Sequence, residues 1–342
     1  MSDPMSMPRT REIDAIVVGA GISGIACAQA LRVAGRSVRV LDRGRVVGGR
    51  MASRRLRDTG TDLDGRVVDY GASYFTARHP DFVAVVEDLV AQGVARPWTD
   101  AFHVADSEGL IGLRAGPMRY AAPRGLRSVV EHLALQSRID VESGHTVTTV
   151  DIGLSGHRGV RVDAMTTSVA ALCMPGPQAE RLIGAHRIPA EVRATTWEPV
   201  IAVTMVFPER TWPEIDGVFV NDSPVLRWIA DDGRRRGDDA PVLVAHIDPV
   251  LAAHHLDDPD AVLAPAIAAA RRILGISELP AWAWAHRWSL ARPLAGIEAD
   301  FAVLADMPVL LAGDVFAGGP RVEAAWLSGR AAGDSLVEAL AR

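Results

Sequence analysis

The sequence predicts an α/β fold with an α+β insert, in which a parallel sheet covered by helices is interrupted by a second domain. Three observations predict it. The chain opens on a short apolar run, a glycine turn and a helical stretch that leads into a second apolar run. Its middle is rich in strand-like runs, and its far end returns to a lone buried strand and a long helix. The length of 342 residues suits two domains of ~150 residues each.

The elements follow in order. Residues 13–18 read as a strand, 19–24 as a glycine turn, and 25–34 as a helix stopped near Gly35. Residues 37–41 form the second strand, ending at Asp42, which closes a βαβ-type unit. A loop rich in glycine and arginine covers 43–57, a strand and turn 67–75, and a helix 79–92. Residues 97–120 are mixed, with a strand-like piece at 110–113. A helix is expected over 125–136 and strands over 139–142, 146–152, 159–165 and 168–174. A helix begins at 178. Strands at 200–207 and 242–247, an alanine-rich helix at 257–274 and a tryptophan-bearing strand at 281–290 complete the insert. The strand 309–312 and the helix 322–341 end the sequence. No internal repeat or low-complexity linker is visible.

Composition narrows the chemistry. Hydrophobic residues make up 49% and charged residues 23%, enough for a buried core. The net charge of -6 argues against nucleic acid as a partner. All 36 basic residues are arginine, which excludes a Schiff-base lysine, a Walker lysine and a lysine general base. Cys27 and Cys173 give neither a disulfide framework nor zinc spacing, so a reduced, cytoplasmic setting is expected and no metal. Residues 1–12 lack the organisation of a signal peptide. The apolar stretch 13–34 carries Asp14, Gln29 and Arg32 among its glycines, so strand–turn–helix is the better reading than a membrane span.

Gly19, Gly21 and Gly24 form G-x-G-x-x-G between a strand and a helix. The first glycine permits the tight turn. The second lets the backbone approach a pyrophosphate, and the third lets helix and strand pack closely. Phosphates would sit at the helix N-terminus, where amides lack partners and the dipole favours negative charge. Asp42 lies 18 residues beyond Gly24. A carboxylate there accepts ribose hydroxyls and repels a 2′-phosphate, so the nucleotide is FAD or NAD rather than NADP. Arg43 and Arg50 flank Gly48 and Gly49, and either guanidinium could reach a pyrophosphate.

The runs V-V-G-A-G-I-S-G (17–24), L-D-R-G-R-V-V-G-G-R-M (41–51) and D-Y-G-A-S-Y-F-T-A-R (69–78) together resemble the flavoprotein amine oxidase superfamily, and within it the renalase-like branch. A-L-C-M-P-G-P-Q-A (171–179), A-H-R-W (285–288) and A-G-D-V-F-A-G-G-P-R-V-E-A-A-W-L-S-G (312–329) agree, in order, across nearly the whole chain. The resemblance implies an amine-oxidase-type architecture. A discontinuous FAD domain would take 10–78, 123–176 and 303–342, and a substrate domain 79–122 and 177–302. It implies non-covalent FAD held by Gly19, Gly21, Ser23, Gly24, Asp42, Arg43, Gly49, Arg50, Met51, Tyr70, Gly71, Ala72, Val147, Gly313, Asp314, Arg321, Val322 and Glu323. The Gly313-Asp314 pair and the helix after it favour FAD over NAD.

Renalase-like proteins oxidise 2- and 6-dihydro isomers of nicotinamide dinucleotides and pass the electrons to molecular oxygen, giving hydrogen peroxide. The resemblance therefore implies such a substrate here. Pocket candidates are Tyr74, His286, Trp288 and Trp326. One departure stands out. Relatives continue A-H-R-W with a basic residue and a tyrosine, where this chain has Ser289 and Leu290. Two other readings stand beside it. One is a flavin-dependent amine oxidase or other small-molecule desaturase, with amine oxidation disfavoured because many such members hold a lysine near the flavin. The other is a non-catalytic FAD-binding protein.

Outside these motifs the sequence reads blandly. Trp282, Trp284 and Trp288 share one parity, which suits core packing or a stacking platform. His254 and His255 read as a surface helix start, and 234–236 as a solvated hairpin tip.

Overall fold

The structure, a computed structural model, describes residues 13–152 and 159–342. The expectation for 1–12, the first residues of the segment 10–78 and part of the segment 123–176 lie outside the described residues.

The first half of the chain runs β1 (Ala15–Val18), α1 (Ile22–Val33), β2 (Val38–Asp42), β3 (Ser53–Arg55), β4 (Val67–Asp69), α2 (Pro80–Ala91), β5 (Arg96–Ala105), β6 (Leu110–Ala121), α3 (Arg127–Gln136), β7 (Val141–Ser143), β8 (Val150–Ile152), β9 (Val160–Val162), β10 (Met165–Thr167) and β11 (Val169–Cys173). There follow α4 (Gly176–Ile183), α5 (Ala190–Arg193), β12 (Trp197–Val206), β13 (Gly217–Val220), β14 (Leu226–Asp231), α6 (Asp232–Arg236), β15 (Val242–Ile247), α7 (Pro249–His254), α8 (Leu263–Leu274), β16 (Trp282–Pro293), β17 (Ala302–Val303), β18 (Val309–Ala312) and α9 (Val322–Leu340).

Two sheets carry the molecule. The first has the order β17-β18-β11-β1-β2-β7. From β18 to β7 every pair is parallel. β1 and β11 are buried along their whole length, because helices cover one face and the β8–β10 ribbon, α4 and α5 cover the other. Helices α1 and α9 cross closely. A Cβ on Gly329 would fall 1.9 Å from the Ser23 carbonyl oxygen, so only glycine allows this approach.

The second sheet has the order β16-β12-β15-β14-β13-β5-β6 and is antiparallel except where β13 meets β5. Its register divides the side chains. Ile201, Val203, Met205, Ala245 and Ala285 point to the face covered by α8. Ala202, Thr204, His246, Trp228, Trp284 and His286 point the other way, by period-two alternation.

Several expectations change. α1 starts at Ile22 rather than 25, because the glycine turn is already its first turn. The loop 43–57 contains β3. β13 and β14 carry no expectation, since short runs interrupted by Asp and Gly lack a clear period. The helix expected from 257 begins at Leu263, after a 3-10 turn at Pro259–Val262. His254 closes α7 instead of opening a helix. Residues 234–236 are no solvated tip: Arg235 and Arg236 are buried in α6.

Candidate functional site

The site begins at the turn after β1. Gly19 has φ +108°, a left-handed value, and a Cβ there would meet the Cys173 carbonyl oxygen at 2.4 Å. A Cβ on Gly24 would lie 1.8 Å from the Gly19 carbonyl oxygen. Both glycines are therefore demanded by packing. Gly21 differs, because a Cβ there would meet nothing within 4 Å. The open side is where a ligand would approach, and Gly21 caps α1 with no side-chain hydrogen bond to its first-turn amides. A dinucleotide phosphate fits that cradle.

Asp42 organises the same turn. Its Oδ2 accepts from the Ala20 amide at 2.5 Å and its Oδ1 from the Gly44 amide at 2.6 Å. Each oxygen keeps a lone pair that a ribose hydroxyl could use. Residues 144–147 pass alongside, with the Gly144 amide donating to the Gly44 carbonyl and the His145 amide to the Asp42 carbonyl. Val147 is buried there. Arg43 is exposed, and Ser23 is buried with an unpartnered hydroxyl. The Gly48 amide donates to the Ala20 carbonyl, so Gly49 packs on Gly21 and brings the second loop over the turn.

Arg50 and Asp314 face each other across this loop. Arg50 Nη1 donates to Asp314 Oδ2 at 2.8 Å and Nη2 to Oδ1 at 2.6 Å. Nη1 also reaches the Ala291 carbonyl on β16 at 3.1 Å. This bidentate pair joins the two ends of the chain to the second sheet. The Gly313 amide is held by Ser328 Oγ of α9 at 3.0 Å. Arg321 caps α9, and Val322 packs into the core beneath it. Glu323 is committed elsewhere, since its Oε1 accepts from the amides of Arg78 and His79 at 2.6 and 2.7 Å. Trp326 lies in the helical core, 5.4 Å from the Phe82 ring, so it is not a wall of the aromatic pocket. Its position one turn into α9 turns it toward α2.

The run 69–75 lies over the second sheet. The Arg50 carbonyl accepts from the Ala72 amide, Gly71 packs against that carbonyl, and Met51 is buried beneath. The Tyr70 ring stacks on Trp288 at 5.6 Å and meets His286 edge-on at 4.7 Å and Trp284 at 5.3 Å. Trp288 Nε1 donates to the Tyr70 carbonyl at 2.8 Å. Arg54 lies 3.8 Å over the Trp284 ring and, among the described residues, has no ion pair. Burial, then Arg54 and Arg287, lower the His286 pKa, so the ring stays neutral. Trp282 packs instead into a separate core patch with Leu56 and Val206. Leu290 is half-buried.

Farther across the sheet, Trp228 Nε1 donates to Ser73 Oγ at 3.0 Å, and Tyr74 packs on Phe102 at 5.2 Å. Burial raises the Tyr74 pKa, opposed by Arg119 and Arg292. His246 lies near the Gly71 backbone. Burial first, then Arg235 and Arg292, push the imidazole down to about 4. Its Nε2 and the neighbouring Thr204 hydroxyl have no protein partner.

A buried ion network pins the same run. Asp232 accepts from Arg66, Arg235 and Arg236. Arg235 also donates to the carbonyls of Ser73 and Asp69, at 3.1 and 3.2 Å, and Arg236 pairs with Asp69 at 3.0 Å. Against burial, Arg236, Arg235 and Arg66 hold the Asp232 carboxyl far below its ordinary range. Sequence reasoning missed this network because three consecutive arginines read as a solvated face. It also missed Arg54, Arg119, Trp228 and His246. Parity along β14 and β15 could have grouped the last two, but the strand order that unites them is written nowhere locally. The two cysteines, distant in sequence, neighbour each other in the core, and the Cys173 side chain and burial raise the Cys27 pKa.

Among the described residues no group of three or more His, Cys, Asp or Glu is placed to hold a metal, and no helix is long and apolar enough to cross a membrane.

Known proteins share this architecture. Residues 17–89 match the family model of an NAD(P)-binding Rossmann-like domain. A protein from Exiguobacterium sp. 255-15 assigned as a protoporphyrinogen oxidase superposes with TM-score 0.75 at 15% identity, covering 97% of this chain and 100% of that one. Putrescine oxidase bound to putrescine gives 0.70 at 17%, covering 97% and 99%. Cyclohexylamine oxidase from Brevibacterium oxydans IH-35A gives 0.71 at 14%, covering 97% and 100%. The chain thus has a Rossmann-like domain within an amine-oxidase-type α/β architecture.

Proposed function

We propose that this chain is an FAD-dependent oxidoreductase of renalase-like type. Its substrate would be a 2- or 6-dihydro isomer of a nicotinamide dinucleotide and its electron acceptor molecular oxygen. The observation that carries this reading is the Tyr70–Trp284–His286–Trp288 group, an aromatic surface accompanied by a guanidinium, Arg54, that has no ion pair among the described residues. Such a surface suits a flat ring in an anionic molecule better than an ammonium ion.

Bound FAD would supply a two-electron acceptor at N5 and the means of reducing oxygen to hydrogen peroxide. The chain's residues would do the rest. Gly21 and the α1 N-terminus would hold the pyrophosphate, and Asp42 the ribose. Arg50 and Asp314 would flank the ribityl region, and the α9 N-terminus would favour negative charge beside it. Tyr70 and Trp288 would orient the dihydropyridine and exclude water. Loss of hydride turns that ring into a pyridinium cation, so no general base is required. A neutral His286 adds no charge against that cation.

The neighbours named for putrescine and cyclohexylamine supply the rival substrate class, an amine. The purified protein is expected to be yellow and to bleach anaerobically with the dihydronicotinamide isomers, releasing hydrogen peroxide when oxygen returns. Bleaching by amines alone would move the assignment to amine oxidation. Protein that stays colourless after FAD is added would remove both.

A further inference from the structure

The second sheet carries another aromatic group, away from Tyr70. Tyr74, Trp98, Phe102, Phe219 and Trp228 contact one another at ring separations between 4.7 and 6.3 Å. Arg119 of β6 is set into this group. Its guanidinium lies 4.2 Å over Phe102 and close enough to Tyr74 for its charge to favour the phenolate.

Arg119 is only 8% exposed, yet it has no ion pair among the described residues. Its Nη1 is buried without a hydrogen-bond partner, and so is Trp98 Nε1 in the same group. The molecule treats its other buried guanidiniums differently. Arg235 and Arg236 are both ion-paired with Asp232, and Arg236 with Asp69 as well. An arginine cannot shed its proton to escape burial, and an unpaired buried charge is strongly unfavourable. Unpartnered donors gathered around a cation with no counter-charge among the described residues are the complement of an oxyanion.

We propose that Arg119, with Tyr74, is the oxyanion-recognition site of the substrate pocket, binding a phosphate or carboxylate of the molecule whose ring lies on Tyr70. The assignment rests on the dinucleotide reading for the identity of that molecule. Trp228 on β14 stands three strand positions from β16, or ~14 Å across the sheet. One ligand touching both groups must be extended, with its anion remote from its ring. A dinucleotide has that form, and a small amine does not.

The test uses the FAD-loaded protein and follows flavin absorbance as NAD+, nicotinamide, inorganic pyrophosphate or benzoate is added. Arg119→Leu is expected to cut the preference for NAD+ over nicotinamide, read as a ratio of Kd values, by about 10- to 100-fold. It should weaken pyrophosphate similarly, and Arg119→Lys should restore part of the loss. Tyr74→Phe, which keeps the ring, should move the ratio in the same direction and covers the case in which the leucine variant fails to fold. An unchanged ratio overturns the proposal even if both ligands bind more weakly, because a structural role would lower them together. If the wild type binds pyrophosphate or benzoate through Arg119 but not NAD+, the oxyanion site stands and the dinucleotide reading falls. If NAD+ binds with the same preference in Arg119→Leu, the site falls and the dinucleotide reading stands.

Discussion

His246 is neutral in the folded protein well into the acid range, since burial, Arg235 and Arg292 push it down to about 4. The unfolded chain takes up that proton near its ordinary ~6.5. A lowered folded pKa means the stabilisation is fully present above the unfolded value and is lost as pH falls toward the folded one. Stability should therefore decline between about pH 6.5 and 4, by at most ~3 kcal/mol from this group. Urea unfolding of the wild type and His246→Leu across that window checks it. Parallel declines in the two proteins would clear His246 of any part. Residue identity was legible where one position decides a backbone, as at Gly19, Gly24 and Asp42. It was illegible where a partner comes from far along the chain. Nothing local to Cys27 announces Cys173, and nothing local to 234–236 announces Asp69.

Elements were legible where burial is complete or the period is long. The strand at Val309–Ala312 and the start of α9 match the reading residue for residue, because an all-apolar run and a sustained helical period leave little choice. β13 and β14 were missed because glycine opens the first, arginine interrupts the second and neither keeps a clear period, so only their neighbours in the sheet make them strands. The contact between α1 and α9 belongs to this scale. Gly329→Ala should push the helices apart, because the added methyl would meet the Ser23 carbonyl. A loss of about 1–3 kcal/mol is expected, and a weaker hold on the proposed FAD, since α1 begins at the turn that would hold its pyrophosphate. Thermal unfolding and FAD retention measure the two effects. An alanine variant with unaltered melting and full cofactor would mean that the helices separate at no cost.

At the scale of the whole molecule, the run 69–75 joins the two sheets, and Asp232 is ion-paired with three guanidiniums around it, with Asp69 and Asp238 sharing their charge. Asp232→Ala should cost about 3–5 kcal/mol, because it leaves buried cations without a counter-charge. Denaturant unfolding tests this, and a loss below 1 kcal/mol would show that solvent reaches the network. The overall architecture was legible from motif order, but the face that the second sheet turns toward the turn was not, because it depends on seven strands finding one order. The Arg50–Asp314 pair has a consequence for how the protein is made. Its two halves are 264 positions apart. The ribosome emits the glycine turn and Arg50 early, while β18 and Asp314 emerge much later. Until Asp314 emerges, a nascent chain therefore carries an open, half-walled cradle. Capture of the proposed FAD would then be a late event, after the strand that completes the first sheet has been inserted.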